Sequence, residues 1–185
     1  MPARTRAELV NAVHASERMK FLFFWGHQPN RDGSIGKGCL SQWWPAPFVL
    51  NDCSFRTAEH YMMWRKAMLF GDEQTADRIL AVSHPKQAKD LGRGIADFDE
   101  SRWAQHRYDI VVAGNLAKFG QHADLRAFLL GTGERVLVEA SPLDAVWGIG
   151  LAADDPRAED PAAWPGDNLL GFALAEVRAA LASQA

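Results

Sequence analysis

The segment TAEHYMMWRKAMLF, residues 57–70, combines an acid and a base with apolar side chains in one predicted helix. Glu59 and Lys66 are seven residues apart, which is two helical turns, so they lie on nearly the same face. A carboxylate and an ammonium group walled by methionine and aromatic side chains can have shifted pKa values, as catalytic groups do. Spacing alone favours the alternative, a solvated helix face with surface ion pairs.

A second candidate is the loop SPLDAVWGIG, residues 141–150, which follows the clearest predicted strand. Asp144 could bind hydroxyl groups or a proton, and Trp147 could stack on a ligand. Gly148 and Gly150 would let the backbone approach a ligand closely. A tight structural loop with its tryptophan in the core explains the same residues equally well.

Three further positions offer rings or anion-binding groups. In LSQWWPAPF, Trp44 follows Trp43, and stacking on a planar base competes with simple core filling. Trp103 and Arg107 are four residues apart on a predicted helix and share a face, as an ordinary surface pair would. Asn168 stands at a helix start, where backbone N–H groups favour an anion, although a plain helix cap is the more common reason for an asparagine there.

The composition limits the class of protein. A chain of 185 residues fits one domain, and 48% hydrophobic with 23% charged residues is a globular balance. A net charge of -3 offers no broad basic surface for a nucleic-acid backbone, but it allows a single phosphate-bearing substrate. Cys39 and Cys53 match no disulfide framework or zinc pattern, and neither a membrane span nor a signal peptide is evident. We therefore expect a cytoplasmic protein without a metal.

Hydrophobic periodicity and turn signals predict an α+β domain that is mostly helical, with a small β-sheet. Strands are expected at FLFFW, PFVL and ERVLVEA, with a turn at ND after the second of them. Loops are expected over GHQPNRDGSIGKG and over residues 141–165, because glycine, proline and aspartate dominate there.

Capping signals mark the predicted helices. Thr5 begins TRAELVNAVHASERM, and Thr57 begins the helix at residues 57–70. Ser83 is expected to cap HPKQAKDLG, and Gly120 to close DESRWAQHRYDIVVAGNLAKFG. DEQTADRILAV and ADLRAFLLGTG are shorter helices. The last helix begins near Asp167 and carries an apolar stripe formed by Leu170, Leu174, Val177 and Leu181.

Taken in order, these segments resemble the YbiA-like or NADAR family, whose name refers to NAD and ADP-ribose. The matching pieces are FFWGH, LSQWWPAPFVLNDCSFRTAEHYMMWRKA, PKQAKDLGR, HRYDIV, NLAKF, LRAFLLGTGERVLVEASPLDAVWGIG, and NLLG with the VR that follows at residues 177–178. They cover residues 21–178, so a single domain is expected over residues 1–185, with an N-terminal helix in residues 1–20. The chain departs from the family in the GHQPNRDGSIGKG insert and in Gln42, where asparagine is frequent. The insert leaves the role of the 28–38 loop in substrate choice open.

The resemblance implies an N-glycosidase with a compact α+β fold. The best-described activity of the family is hydrolysis of the N-glycosidic bond in the first two intermediates of riboflavin biosynthesis, which releases ribose 5-phosphate from an aminopyrimidine. Similar members remove ADP-ribose from modified guanine in nucleic acid. Both substrates join C1 of a ribose to a nitrogen of a planar heterocycle, so the family implies the type of bond more firmly than the substrate.

The resemblance also implies roles for particular residues. The family's acid falls on Glu59, its lysine on Lys66, and its later acidic and aromatic positions on Asp144 and Trp147. Glu59 would stabilise positive charge on the sugar and activate water, while Asp144 would orient a hydroxyl or act as a second acid–base group. Lys66 would steer the phosphate or attack C1 to form an imine, and the sequence leaves both roles open.

The remaining expected substrate contacts comprise rings, loop groups and phosphate ligands: Trp44, Trp103, Trp147, Gly148 and Asn168, with Arg56, Arg107 and Lys118 for the phosphate. Water is the expected co-substrate, and no metal or cofactor is expected. The expected partner is a small phosphoribosyl or ADP-ribosyl compound, with nucleic acid only as a modified substrate and no membrane; the oligomeric state stays open. The alternatives are an ADP-ribosyl hydrolase acting on guanine and a module that binds ADP-ribose or NAD without turnover. The presence of both Glu59 and Lys66 argues against the module.

Overall fold

The computed structural model describes residues 3–15 and 19–184, which divide into two compact units. We call residues 42–123 the central unit, and the two flanking segments, within 1–41 and 124–185, the terminal unit. A single domain over residues 1–185 stays a prediction.

The described residues form seven α-helices, four short strands and two 3-10 turns. The helices are α1 Arg6–Ala15, α2 Ala58–Leu69, α3 Glu73–Ala81, α4 Pro85–Arg93, α5 Glu100–Gln121, α6 Ala123–Gly131 and α7 Leu169–Ala182. The strands are β1 Phe21–Phe24, β2 Phe48–Leu50, β3 Cys53–Phe55 and β4 Val136–Glu139, and the 3-10 turns are Lys37–Leu40 and Pro161–Ala163. The predicted fold class, a mostly helical α+β protein, is confirmed.

The strands form two separate two-stranded sheets rather than one. β1 and β4 pair in parallel, from Phe21 opposite Val136 to Phe24 opposite Glu139. β2 and β3 form an antiparallel hairpin whose turn residues, Asn51 and Asp52, have positive φ angles of 52° and 60°. Such a turn matches the twist of paired strands, and asparagine and aspartate tolerate it better than most residues do.

Two predicted helix boundaries are wrong. His84, not Ser83, caps α4, because its Nδ1 accepts the N–H of Lys86 at 3.1 Å while its own N–H donates to Gln87 Oε1 at 3.2 Å. Gly120 does not close α5, which continues to Gln121. A glycine ends a helix where it adopts a left-handed φ, and Gly120 does not.

The terminal unit is built around β4, against which α7 packs. The predicted stripe of α7 is confirmed as the buried face: Leu170, Leu174, Val177 and Leu181 are each at most 1% exposed. Burying a leucine or valine side chain is worth about 1.5–3 kcal/mol, so this face stabilises the packing of α7 against β4. The predicted cap of α1 is also present, because Thr5 Oγ1 accepts the N–H of Glu8 at 3.2 Å.

The central unit is built around α2, which packs against α3, α4 and α5. The β2–β3 hairpin adds Phe48 and Phe55, whose rings lie 6.0 Å and 5.1 Å from the ring of Tyr61 on α2. Residues 58–63 and Ala67 of α2 are buried, so any polar side chain among them is held in a packed interior. None of the described helices has the length and apolar character needed to cross a membrane.

Candidate active site

Glu59 lies in the first turn of α2 and is only 3% exposed. The predicted N-cap is confirmed, because Thr57 Oγ1 accepts the N–H of His60 at 3.4 Å. The N–H of Glu59 itself donates to the backbone oxygen of Gln42 at 3.0 Å. The first N–H groups of a helix have no partner within the helix, so this bond satisfies one of them and fixes the backbone of Glu59.

The side chain of Gln42 links this helix start to α5. Asn115 Nδ2 donates to Gln42 Oε1 at 2.7 Å and to the backbone oxygen of Val111 at 2.9 Å. Both amides are buried, with Gln42 8% and Asn115 0% exposed. Asn115 is not among the predicted site residues. The sequence pattern does indicate it, because Asn115 is a polar residue at four-residue spacing between Val111 and Phe119, on the buried face of α5.

Lys118, expected to bind phosphate, lies one turn beyond Asn115 on α5 and is 0% exposed. A lysine is rarely buried so completely, because removing an ammonium group from water is costly without compensating partners. Its Nζ lies 4.9 Å from the ring centroid of Phe119. The side chain of Lys118 therefore belongs to the interior of the central unit, and its role as a phosphate ligand stays a prediction.

Lys66 lies in the last turn of α2, whereas Glu59 lies in the first, and the helical rise separates their backbones by about 10 Å. Its Nζ donates to the backbone oxygen of Gly92 at 2.8 Å and lies 4.1 Å from the ring centroid of Phe98. None of the interactions of Lys66 with the described residues involves Glu59. The shared helix face therefore does not make the two charges a pair.

Two other predicted site residues lie near Lys66. Its Nζ is 5.6 Å from the ring centroid of Trp103, which is only 7% exposed, and Arg107 Nη1 lies 3.2 Å from Glu100 Oε1. Burial lowers the pKa of Lys66 below 10.5, and the charge of Glu100 opposes that change. Lys66 thus lies against Trp103, and Glu100 links it to Arg107 where α2 and α5 pack together.

Trp44 and Arg56 are not among the residues described above as contacting Glu59 or Lys66. Trp44 is partly exposed in the turn that precedes β2. Arg56 is exposed, immediately before the N-cap of α2. Both side chains are therefore accessible to a ligand.

In the terminal unit, Asp144 shapes its own loop. Its Oδ1 accepts the backbone N–H groups of Val146 at 2.9 Å and Trp147 at 2.8 Å, and its backbone oxygen accepts the N–H of Gly150 at 3.1 Å. Aspartate commonly stabilises turns in this way. Oδ2 accepts no hydrogen bond from the described part of the chain, so it is the oxygen that a ligand hydroxyl could reach.

Gly148 is required by the packing of this loop. A Cβ atom at Gly148 would lie 2.8 Å from the backbone oxygen of Glu139 and 2.9 Å from that of Asp144. The protein's own backbone therefore explains the glycine without a ligand. Trp147 next to it is partly exposed, and its backbone oxygen accepts the N–H of Leu170 at 3.1 Å.

Asn168 ties α7 to β4 rather than binding an anion. Its Oδ1 accepts the N–H of Glu139 and its Nδ2 donates to the oxygen of Leu137, both at 3.0 Å. The N–H groups of residues 168–170 at the start of α7 donate to backbone oxygens of residues 146–148. The expected anion site at this helix start is therefore not formed, because its donors are already bonded to the loop.

His60 follows Glu59 on α2 and fits its surroundings as a neutral imidazole. Its Nδ1 lies 2.8 Å from Thr57 Oγ1, and its Nε2 lies 3.2 Å from the backbone oxygen of Val82. This pattern is satisfied when Nε2 carries the proton and Nδ1 accepts from the threonine hydroxyl. Desolvation lowers the pKa of His60 below 6.5; the bond to Val82 opposes this change, and the charges of Arg56 and His84 add to it.

We expect acid to destabilise the protein through His60. A group whose pKa is lowered on folding binds its proton more readily in the unfolded chain, so its contribution is present above pH 6.5 and is lost as the pH falls. The free energy of unfolding, measured with urea from about pH 8 to pH 5, should therefore decrease more steeply in the wild type than in His60→Gln. Equal slopes would contradict this assignment.

The structure is that of a mostly helical α+β protein with a buried carboxylate, Glu59, at the start of α2 and an acidic loop, around Asp144, after the parallel strand β4. The chain belongs to the NADAR domain family, whose model matches residues 23–182. This range nearly coincides with the predicted family match of residues 21–178.

Several relatives are named N-glycosidases. N-glycosidase R617 of Acanthamoeba polyphaga mimivirus is 42% identical over 167 residues, covering 88% of this chain and 96% of that protein. N-glycosidase YbiA of Escherichia coli (strain K12) is 34% identical over 136 residues, covering 74% of this chain and 76% of that protein. The NMR structure of E. coli YbiA matches with a TM-score of 0.70 at 28% identity, covering 91% of this chain and 89% of that one. The predicted family and class of enzyme, an N-glycosidase, are confirmed.

Proposed function

We propose that this N-glycosidase hydrolyses the ribosyl C1–N bond of the phosphoribosylaminopyrimidine intermediates of riboflavin biosynthesis and releases ribose 5-phosphate. The names of the relatives support the class of bond, and the family resemblance supports the substrate. The observation that carries the proposal is Glu59, a carboxylate buried in the first turn of α2 with its backbone fixed by Gln42.

The chemistry requires a carboxylate of this kind. As the C1–N bond breaks, positive charge develops on the ribose ring, and the electron pair of the bond leaves with the nitrogen. A carboxylate in a packed interior interacts with that positive charge more strongly than a solvated one does. Glu59 would also take a proton from the attacking water, whose oxygen forms the new bond to C1. The departing nitrogen gains one proton, so the reaction consumes one water molecule.

Asp144 and Trp147 are proposed as substrate-binding residues from the geometry of their own loop. Two backbone N–H groups hold Oδ1 of Asp144 and thereby orient the carboxylate, which leaves Oδ2 to accept a ribose hydroxyl. The partly exposed indole of Trp147 offers a ring face to a sugar or heterocycle.

For Lys66 we propose an electrostatic role rather than an imine. A lowered pKa would suit a nucleophilic amine, but the bond from Nζ to Gly92 commits the group to the α2–α4 contact. Lys66→Ala should reduce turnover, whereas Lys66→Arg, which keeps the positive charge, should retain most of it. Borohydride added during turnover should leave the mass of the wild-type protein unchanged. A trapped ribosyl adduct on Lys66, found by mass spectrometry, would contradict this role.

The substrate is tested by comparing kcat/KM for two compounds, the first riboflavin-pathway phosphoribosylaminopyrimidine and an ADP-ribosylated guanosine. We expect the aminopyrimidine compound to be preferred and Glu59→Gln to lose most of the turnover of this compound. Preference for the guanosine compound would replace the proposed substrate with an ADP-ribosyl one. Tight binding with cleavage of neither compound would show a binding module and would refute the proposed activity.

A further inference from the structure

Glu59 is held in place from outside its own helix. The side chain of the N-cap, Thr57, accepts the N–H of His60, and its backbone oxygen accepts the N–H of Tyr61 at 3.3 Å. The cap therefore does not hold the N–H of Glu59, which donates to the backbone oxygen of Gln42 at 3.0 Å instead. The position of Glu59 along the helix start thus depends on Gln42.

Gln42 lies in a turn, where the backbone has no helix or strand to fix it. Its side chain supplies the anchor, because Oε1 accepts a hydrogen bond of 2.7 Å from Asn115 in the middle of α5. The orientation of the two amides is determined by Val111, whose backbone oxygen also accepts from Asn115 Nδ2. A backbone oxygen can only accept, so the Asn115 atom that faces Val111 must be Nδ2. Gln42 must therefore present Oε1, not Nε2, to the same nitrogen.

We infer that the Gln42–Asn115 amide pair positions the Glu59 carboxylate for the proposed reaction, so that both are positioning residues. This inference rests on the proposed function, since it assigns to the pair the placement of the reacting carboxylate. Two successive hydrogen bonds connect α5 to the backbone of Glu59 through the turn at Gln42. Both amides are nearly or fully buried, so water does not readily replace a lost partner.

The expected effect is on kcat rather than on substrate affinity. Displacement of a catalytic group by about 1 Å can cost about 100-fold in rate. Gln42→Asn shortens the side chain by one methylene, which opens the hydrogen bond to Asn115. We expect this variant to lose at least about 10-fold in kcat, with KM for the phosphoribosylaminopyrimidine within about twofold of the wild-type value.

A second variant restores the combined length of the two side chains and should therefore restore kcat. The exchange variant Gln42→Asn with Asn115→Gln moves the methylene from one side chain to the other and keeps both amides. It should recover kcat to within about threefold of wild type. Asn115→Leu, which removes the donor altogether, should lose at least as much kcat as Gln42→Asn.

A matched control separates positioning from general loss of stability. Thr132→Val removes the hydrogen bond that Arg178 donates to Thr132 at 2.7 Å, a contact of the terminal unit that does not involve Glu59. It should lower the melting temperature and leave kcat unchanged at a temperature at which all variants are folded.

Three outcomes would overturn the inference. The first is Gln42→Asn with normal kcat and KM, and the second is the same variant with a raised KM and normal kcat. The third is a folded exchange variant whose kcat does not recover. If the inference fails while Glu59→Gln is inactive, the proposed function stands. Normal turnover by Glu59→Gln would overturn the assignment of Glu59 and the inference with it, because the pair would then have no reacting carboxylate to position.

Discussion

Replacing Glu59 by glutamine is expected to lower kcat by about 100- to 10,000-fold and to leave the protein folded. Glutamine has nearly the same shape as glutamate, so it fits the buried position in the first turn of α2, but it carries no negative charge. It can neither stabilise positive charge on the ribose nor take a proton from water. Steady-state release of ribose 5-phosphate measures the effect, and circular dichroism checks the fold.

Glu73→Gln is the matched control for this substitution. Glu73 is also a glutamate in the first turn of a helix of the central unit, α3, but it is exposed. Its replacement should leave kcat within about twofold of wild type, as expected of an exposed residue away from the site. A folded Glu59→Gln protein with normal turnover would end the assignment of Glu59.

Replacing Gly171 by alanine is expected to cost about 3 kcal/mol of unfolding free energy or more, the largest effect on stability that we predict. A Cβ atom at Gly171 would lie only 2.1 Å from the backbone oxygen of Leu137. That oxygen also accepts from Asn168, so it cannot move without breaking the tie between β4 and α7. Urea unfolding measures the loss.

Gly120→Ala is the opposite case and serves as the control. Gly120 lies in α5, and a Cβ atom there would meet no described residue outside its own stretch of helix within 4 Å. Its φ is not in the left-handed region, so alanine should stabilise the helix, by up to about 1 kcal/mol. If Gly171→Ala and Gly120→Ala had the same free energy of unfolding, the result would contradict the close contact between α7 and β4.

Local patterns predict the helices and strands well. The stripe of α7 and the Thr57 cap of α2 depend on residues within one or two turns of each other, and both are confirmed. The partnership of β1 with β4 is different, because more than 100 residues separate Phe21 from Val136. Alternation along a strand reveals its buried face but not its neighbour, so the separate parallel pair was not predicted.

The candidate site shows the same limit. The sequence pattern places Glu59 and Lys66 on one helix face, yet their contacts differ because Lys66 is long enough to reach Gly92 on α4. The link between Gln42 and Asn115 spans 73 residues, and neither partner alone predicts the other. Asn168 is predictable as a helix start, but its bonds to Glu139 and Leu137 depend on how α7 packs against β4.

The most direct test of the proposed function is a time course of wild-type protein with the first phosphoribosylaminopyrimidine intermediate, with both products quantified. We predict that ribose 5-phosphate and the free aminopyrimidine appear in equal amounts over many turnovers, and that Glu59→Gln releases both at least about 100-fold more slowly. Wild-type protein that leaves this compound intact while cleaving ADP-ribosylated guanosine would contradict the proposed substrate. Cleavage of the intermediate at the same rate by Glu59→Gln would contradict the proposed site.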